Sequence, residues 1–126
     1  MSLTHSTAQA NAIANLTVDA LDAGTTNPNA RLVFMTAGDA TVATLNFANP
    51  AFGDAAAKVA TANAIASDTN AVGGTIALFK VTDRDNVEVY RGTVTATGGG
   101  GDIELSSLVI AATDTVSLSS LTYGVA

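Results

Sequence analysis

The residues whose types and spacing could do chemistry are few and mostly acidic. Asp83, Asp85 and Asn86 crowd into one short run and offer oxygen ligands of the kind calcium takes. A hard cation wants about six to eight oxygens from a defined loop. Here Arg84 stands inside the run, with neither flanking helices nor a closing glutamate, so a solvated hairpin tip is the expected role. Asp102 and Glu104, two apart, would share one strand face and resemble the carboxylate pair of a glycosidase; an outward polar face explains them as well. Gly98-Gly99-Gly100-Gly101 could bring backbone amides to a phosphate. A phosphate loop also needs a following Lys-Ser/Thr and a helix, and Asp102-Ile103-Glu104 follows instead, which reads as a flexible linker. Asn15-Leu16-Thr17 has the spacing of a glycosylation triplet but falls inside an expected helix.

Groups able to move protons near neutrality are scarce. The chain has no cysteine and no tryptophan, and His5 is its one histidine. Serine and threonine are plentiful, but no base lies near them in sequence. A Ser-His-Asp arrangement would require the terminal arm carrying His5 to fold into a cleft. The composition therefore points away from an enzyme, and no metal or cofactor is expected.

With 126 residues the chain is expected to build one core of its own. The formal charge of −6 comes from eleven acidic and five basic residues, mostly scattered singly. Nucleic-acid binding wants a basic stripe, so that class of partner is not expected. Met1-Ser2-Leu3-Thr4-His5-Ser6 carries no basic residue ahead of an apolar run, so no secretory signal is read there. No apolar stretch approaches the ~20 residues that span a bilayer, so no membrane partner is expected. Charged residues make up 13 % and hydrophobic ones 48 %, many of them alanine. Such a surface suits a small β protein, or a subunit largely covered by neighbours, because interface cores are depleted in charge.

The elements that must position these groups change period at Gly24. From Thr7 to Ala23, Ile13, Leu16, Ala20 and Leu21 fall at i, i+3, i+7 and i+8, one stripe of a helix, with Ser6 or Thr7 as cap and Gly24 at its end. Residues 1–24 are read as an arm and helix, and residues 25–126 as a β domain. Arg31–Thr36 and Thr41–Phe47 form a hairpin with Ala43, Leu45 and Phe47 on one face. Asn49-Pro50 ends it, and Phe52 is expected to plug the core. A short strand is expected near Lys58 to Ala62. Thr75–Thr82 is the strongest buried strand, returning through Asp83–Asn86 into Val87–Val94, with Val87 and Val89 inward and Glu88 and Tyr90 outward. Ile103 and Leu105 mark another strand. Thr115–Tyr123 is the last, with a bulge at Ser119-Ser120. The expected core includes Leu45, Phe47, Ile76, Leu78, Val89 and Leu118. About seven short strands separated by Gly, Asn and Asp turns indicate an all-β fold, a sandwich or jelly roll behind an N-terminal helix.

Three stretches carry a family resemblance: Ala43-Thr44-Leu45-Asn46-Phe47, Asn49-Pro50-Ala51-Phe52-Gly53, and Val59-Ala60-Thr61-Ala62-Asn63-Ala64-Ile65. Together with Asp22-Ala23-Gly24 and Val116 to Ser120, they resemble small proteins encoded in tailed-bacteriophage and prophage genomes. Lys58 stands where that group often has glycine. The resemblance implies a virion structural protein of the head decoration, or cement, type with a jelly-roll-like fold. Its implied partner is the major capsid protein, on the outer surface of the head. A homo-oligomer is expected, with Ile13, Leu16 and Leu21 of the helix as the surface that reaches a neighbour. The rival readings are a tail or head–tail junction component and a carbohydrate- or receptor-binding β-sandwich.

Overall fold

The computed structural model describes residues 3–125; Met1, Ser2 and Ala126, at the ends of the two expected regions and of the signal reading, lie outside the described residues. Among the described residues the chain is mostly β-sheet, with one α-helix towards its amino end. Helix α1 (Thr7–Asp19) continues into a 3-10 turn (Ala20–Asp22). Ten strands follow: β1 (Arg31–Met35), β2 (Thr41–Phe47), β3 (Val59–Thr61), β4 (Ile65–Ala66), β5 (Gly74–Thr75), β6 (Leu78–Thr82), β7 (Glu88–Ala96), β8 (Ile103–Leu105), β9 (Val109–Ile110) and β10 (Thr122–Gly124). Six of them make one sheet in the order β4-β2-β1-β6-β7-β8, while β10 pairs with β3 and β5 with β9. No helix of the described residues is long and apolar enough to cross a membrane.

The hairpin β1–β2 forms as its alternation predicts. Leu32 and Phe34 on β1, and Ala43, Leu45 and Phe47 on β2, turn to a single core that Phe79, Val81, Val94 and Ile103 extend along the same sheet. Phe52 plugs this core from its loop, its ring 5.6 Å from that of Phe47. Lys58 has φ +71°, the left-handed conformation that glycine adopts most readily.

The helix belongs to that same core. Ser6 caps it, its Oγ accepting from the Gln9 amide at 3.2 Å. Its buried side is Ala10, Ala14 and Val18, followed by Leu21 in the 3-10 turn. Small alanines at i and i+4 let the helix lie close against β3 and β10, leaving the larger Leu16 76 % exposed and Ile13 half-buried. A neighbouring flank of the helix is polar and equally engaged. Asn11 Oδ1 accepts from the Lys58 amide at 2.8 Å, Asn15 Oδ1 from Ala55 at 2.8 Å, and Asp22 Oδ1 from Ala51 at 2.9 Å. The boundary at Gly24 therefore does not separate two cores.

Elsewhere the strands change partners where continuous runs were expected. Thr75–Thr82 divides between two sheets. β5 pairs with β9, the chain crosses at Ile76-Ala77, and β6 then pairs with β1. The crossing shifts the alternation by one residue, so Phe79 and Val81 are buried while Leu78 is half-buried on the other face. Val89 and Leu118 lie partly buried at the core's edge. Val87 is exposed, and Tyr90, expected outward, packs against the core with its ring edge-on to Phe79 at 6.3 Å. A register shift at Val81/Thr82 turns β7 in this way. Thr115–Tyr123 is not one bulged strand: Val116 bridges Asp68, and regular pairing resumes only at β10.

Candidate functional site

The acidic hairpin tip is a clasp. Asp83 Oδ1 accepts from the Asp85 and Val87 amides at 2.8 and 3.0 Å, closing the turn on itself. Asp85 Oδ1 accepts from Thr25 and Thr26, both at 2.9 Å, and those two amides hold its carboxyl below the usual range. Gly24 makes the approach possible: with φ +116°, a Cβ there would stand 2.8 Å from Asp85 Cγ. Arg84 Nε donates to the Asn27 carbonyl oxygen at 2.8 Å, and Asn27 Nδ2 donates back to the Arg84 carbonyl and to Asn86 Oδ1. The Oδ1 atom of each residue considered as a calcium ligand thus accepts from a protein donor. Among the described residues, no group of three His, Asp or Glu side chains is placed to hold a metal ion.

The tetraglycine is a tied loop rather than a flexible linker. It lets β8 run parallel to β7, Val94 beside Ile103, across a connection much shorter than the dozen or so residues such pairs usually need. Glu104 binds the amides of Gly98 and Gly100 at 3.0 and 3.2 Å, so the donors that could have met a phosphate hold the chain's own carboxylate. Gly98 and Gly100 have positive φ, and a Cβ on Gly99 or Gly101 would come within 2.7 or 2.9 Å of Thr95. Asp102 Oδ2 accepts from the Thr93 amide at 3.0 Å, so each member of the suspected carboxylate pair serves the backbone.

The remaining expectations separate in space. Asn15 faces Ala55, while Thr17 Oγ1 donates to the Ile13 carbonyl within the helix. His5 sits half-buried just before the helix cap. Of Ile13, Leu16 and Leu21, Leu16 alone is well exposed. Leu21, fully buried, is a core residue and does not face a partner.

Two features escaped the sequence. The first is a cleft of about 300 Å³ between the large sheet and β10, lined by Phe79, Tyr90, Arg91, Asp102, Leu121 and Tyr123. The Tyr90 and Tyr123 rings meet at 5.1 Å. Burial, then the neighbouring Tyr123, pushes the Tyr90 phenol well above its ordinary value, and its hydroxyl has no hydrogen-bond partner.

The second is the outer face of the large sheet. Register places Asn46, Arg31, Thr82 and Glu88 in one row across four strands, and Thr44, Val33, Lys80 and Arg91 in the next. Three of the five basic residues of an acidic chain thus share one face. Like charges opposite each other on neighbouring strands repel, as Lys80 and Arg91 must. Arg91 is compensated by Glu88 at 2.8 Å and Asp39 at 3.2 Å. These contacts raise its own pKa, while Arg91 first and Lys80 second lower that of Glu88. Beside them lies a depression of about 230 Å³ lined by Arg31, Val33, Thr41, Thr44, Lys80, Thr82 and Asn86. Thr82 is 3 % exposed and its Oγ1 has no hydrogen-bond partner, a state that costs about 1–3 kcal/mol for a buried hydroxyl. Only a correct pairing of β6 with β1 and β7, which are not all sequence neighbours, brings these residues together. Comparison with protein-family models, with curated proteins and with solved structures finds no match.

Proposed function

We propose that this protein is a structural subunit of a tailed-bacteriophage virion, a decoration or cement protein on the outside of the head shell. One observation supports a structural role above all. The carboxylates best spaced for chemistry, Asp83, Asp85, Asp102 and Glu104, accept from backbone amides and brace turns. The stretches that resemble phage and prophage proteins supply β2, the Phe52 plug and β3, and the Ala51 amide among them donates to Asp22 in the 3-10 turn that ends the helical segment. In this reading the large sheet forms one layer of a jelly-roll-like sandwich, and the helix with the two small sheets forms the other.

The outward contacts come from apolar side chains that the fold leaves uncovered: Leu16 on the helix, Val59 on β3, Val72 and Val109 near the β5–β9 pair. They serve contacts to the major capsid protein and to further copies of the chain. Symmetry repeats each weak contact over the shell, so avidity gives firm attachment. Purified protein mixed with heads lacking it should co-sediment with them to a saturating stoichiometry, and Leu16→Glu should weaken that binding while the protein stays folded. Failure to bind heads, or binding to tails alone, overturns the assignment. The Tyr90–Tyr123 cleft favours one rival, a sugar-binding module. Glycan binding that Tyr123→Ala abolishes, in a protein that does not bind heads, would establish that rival.

A further inference from the structure

We infer that the cleft between the large sheet and β10 binds the ring of one uncharged pyranose sugar, stacked on Tyr123 with its hydroxyls on Asp102. This is a second activity, separate from attachment to a shell, and it stands whether or not the chain binds heads. Tyr123 supplies the contact ring. It lies half-buried on β10, which pairs with β3 alone, and it lines the cleft. Tyr90 packs against it at 5.1 Å, and Phe79 packs edge-on against Tyr90 at 6.3 Å. The Tyr90 hydroxyl is enclosed and reaches no ligand. The Tyr123 hydroxyl is not enclosed in this way and makes no hydrogen bond among the described residues, so it is open to one.

Asp102 supplies the polar side. Its Oδ2 accepts from the Thr93 amide at 3.0 Å and the Thr93 hydroxyl at 3.3 Å, which fixes the carboxyl group. The residue is exposed, and Oδ1 has no partner among the described residues. Gly92 brings this carboxyl and the rings together. A Cβ there would stand 2.6 Å from Asp102 Oδ2 and 2.7 Å from the Phe79 ring, so only glycine lets the acid lie beside the aromatic wall. Glycine inside a strand weakens it and marks a close approach. Size and charge select the class. A volume of about 300 Å³ is at the low end for ligand sites, room for one ring rather than a chain. A sugar ring has an apolar face of C–H bonds, which suits a tyrosine ring, and hydroxyls round its edge, which suit a fixed carboxylate. Arg91 and Asp102 both belong to the lining, so an added charge of either sign meets one like itself, and a neutral ligand does not.

The chain has two tyrosines, both at this cleft, and no tryptophan, so tyrosine fluorescence of the intact protein reads the site directly. Titration with methyl α-glucopyranoside, methyl α-galactopyranoside and methyl α-mannopyranoside should give a saturable change for at least one, with dissociation in the millimolar range. Sorbitol, which has the hydroxyls without the ring, should give none at equal concentration. Sodium glucuronate and tetramethylammonium chloride should bind more weakly than the neutral glycoside at matched ionic strength. Asp102→Asn should weaken glycoside binding by about tenfold, the loss of one charged hydrogen bond. Tyr123→Leu keeps an apolar side chain on β10 and should abolish binding, read by calorimetry, with the circular dichroism spectrum unchanged. No saturable response to any of the glycosides, an equal response to sorbitol, tighter binding of glucuronate or tetramethylammonium, or undiminished binding in Asp102→Asn overturns the proposal. All of these are read on the free protein, so none of them bears on attachment to heads.

Discussion

Leu16 and Leu21 lie on the same helical segment, and the same substitution should affect them very differently. Leu21 is fully buried beside Val18 and in the cluster that holds Phe34 and Phe47, whereas Leu16 is 76 % exposed. Leu21→Ala removes three carbons from the interior, roughly 2.4 kcal/mol at ~0.8 per carbon. The cavity left behind adds to this, for a total of about 3–4 kcal/mol. Leu16→Ala removes surface contacts and slightly improves helix propensity, so its effect should stay within about 0.5 kcal/mol of zero. Urea denaturation followed by circular dichroism distinguishes the two. With a slope near ~2 kcal/mol/M, Leu21→Ala should lower the midpoint by roughly 1.5–2 M, and Leu16→Ala should leave it in place. Equal shifts for the two variants, or a loss below about 1 kcal/mol for Leu21→Ala, would refute the claim that the helix is part of the core.

Phe47→Ala should cost about 3–5 kcal/mol, and a double-mutant cycle with Phe52→Ala should show ~0.5–1.5 kcal/mol of coupling between the rings, both read from denaturation midpoints. Gly99→Ala should cost roughly 1–3 kcal/mol because its Cβ would press on Thr95, and Glu104→Gln should speed hydrogen exchange at Gly98 and Gly100. Asp85 and Glu88 have folded pKa values below their ordinary 3.8 and 4.5, so the unfolded chain binds more protons. Their stabilisation is present above those values and disappears as pH falls through the lower folded ones. Asp85→Asn should therefore flatten the acid limb of the melting-temperature profile, and an unchanged limb contradicts the clasp.

Local pattern was enough for much of this fold. The alternation of β1 and β2, the break after Phe47, the Phe52 plug, the Ser6 cap and the short strand at Val59–Thr61 can all be read from neighbouring residues. What could not be read depends on partners distant in sequence. Nothing within Thr75–Thr82 says that the chain leaves one sheet for another at Ile76-Ala77, yet that crossing decides which residues are buried. On the helix, hydropathy favours the bulky Ile13 and Leu16, whereas close packing selects Ala10 and Ala14. The tetraglycine resembles a linker until Glu104 is seen holding its amides. The outer cationic face depends on register across four strands, so Arg31, Lys80 and Thr82 carry no signal as separate residues.

The central claim is that this β domain is a building part of a virion. A cryo-EM map of particles assembled from the genome that encodes the chain tests it most directly. Our account predicts density for this domain on the outer surface of the head, repeated with the symmetry of the shell. Particles that lack the chain altogether, or that carry it only in the tail, would contradict it.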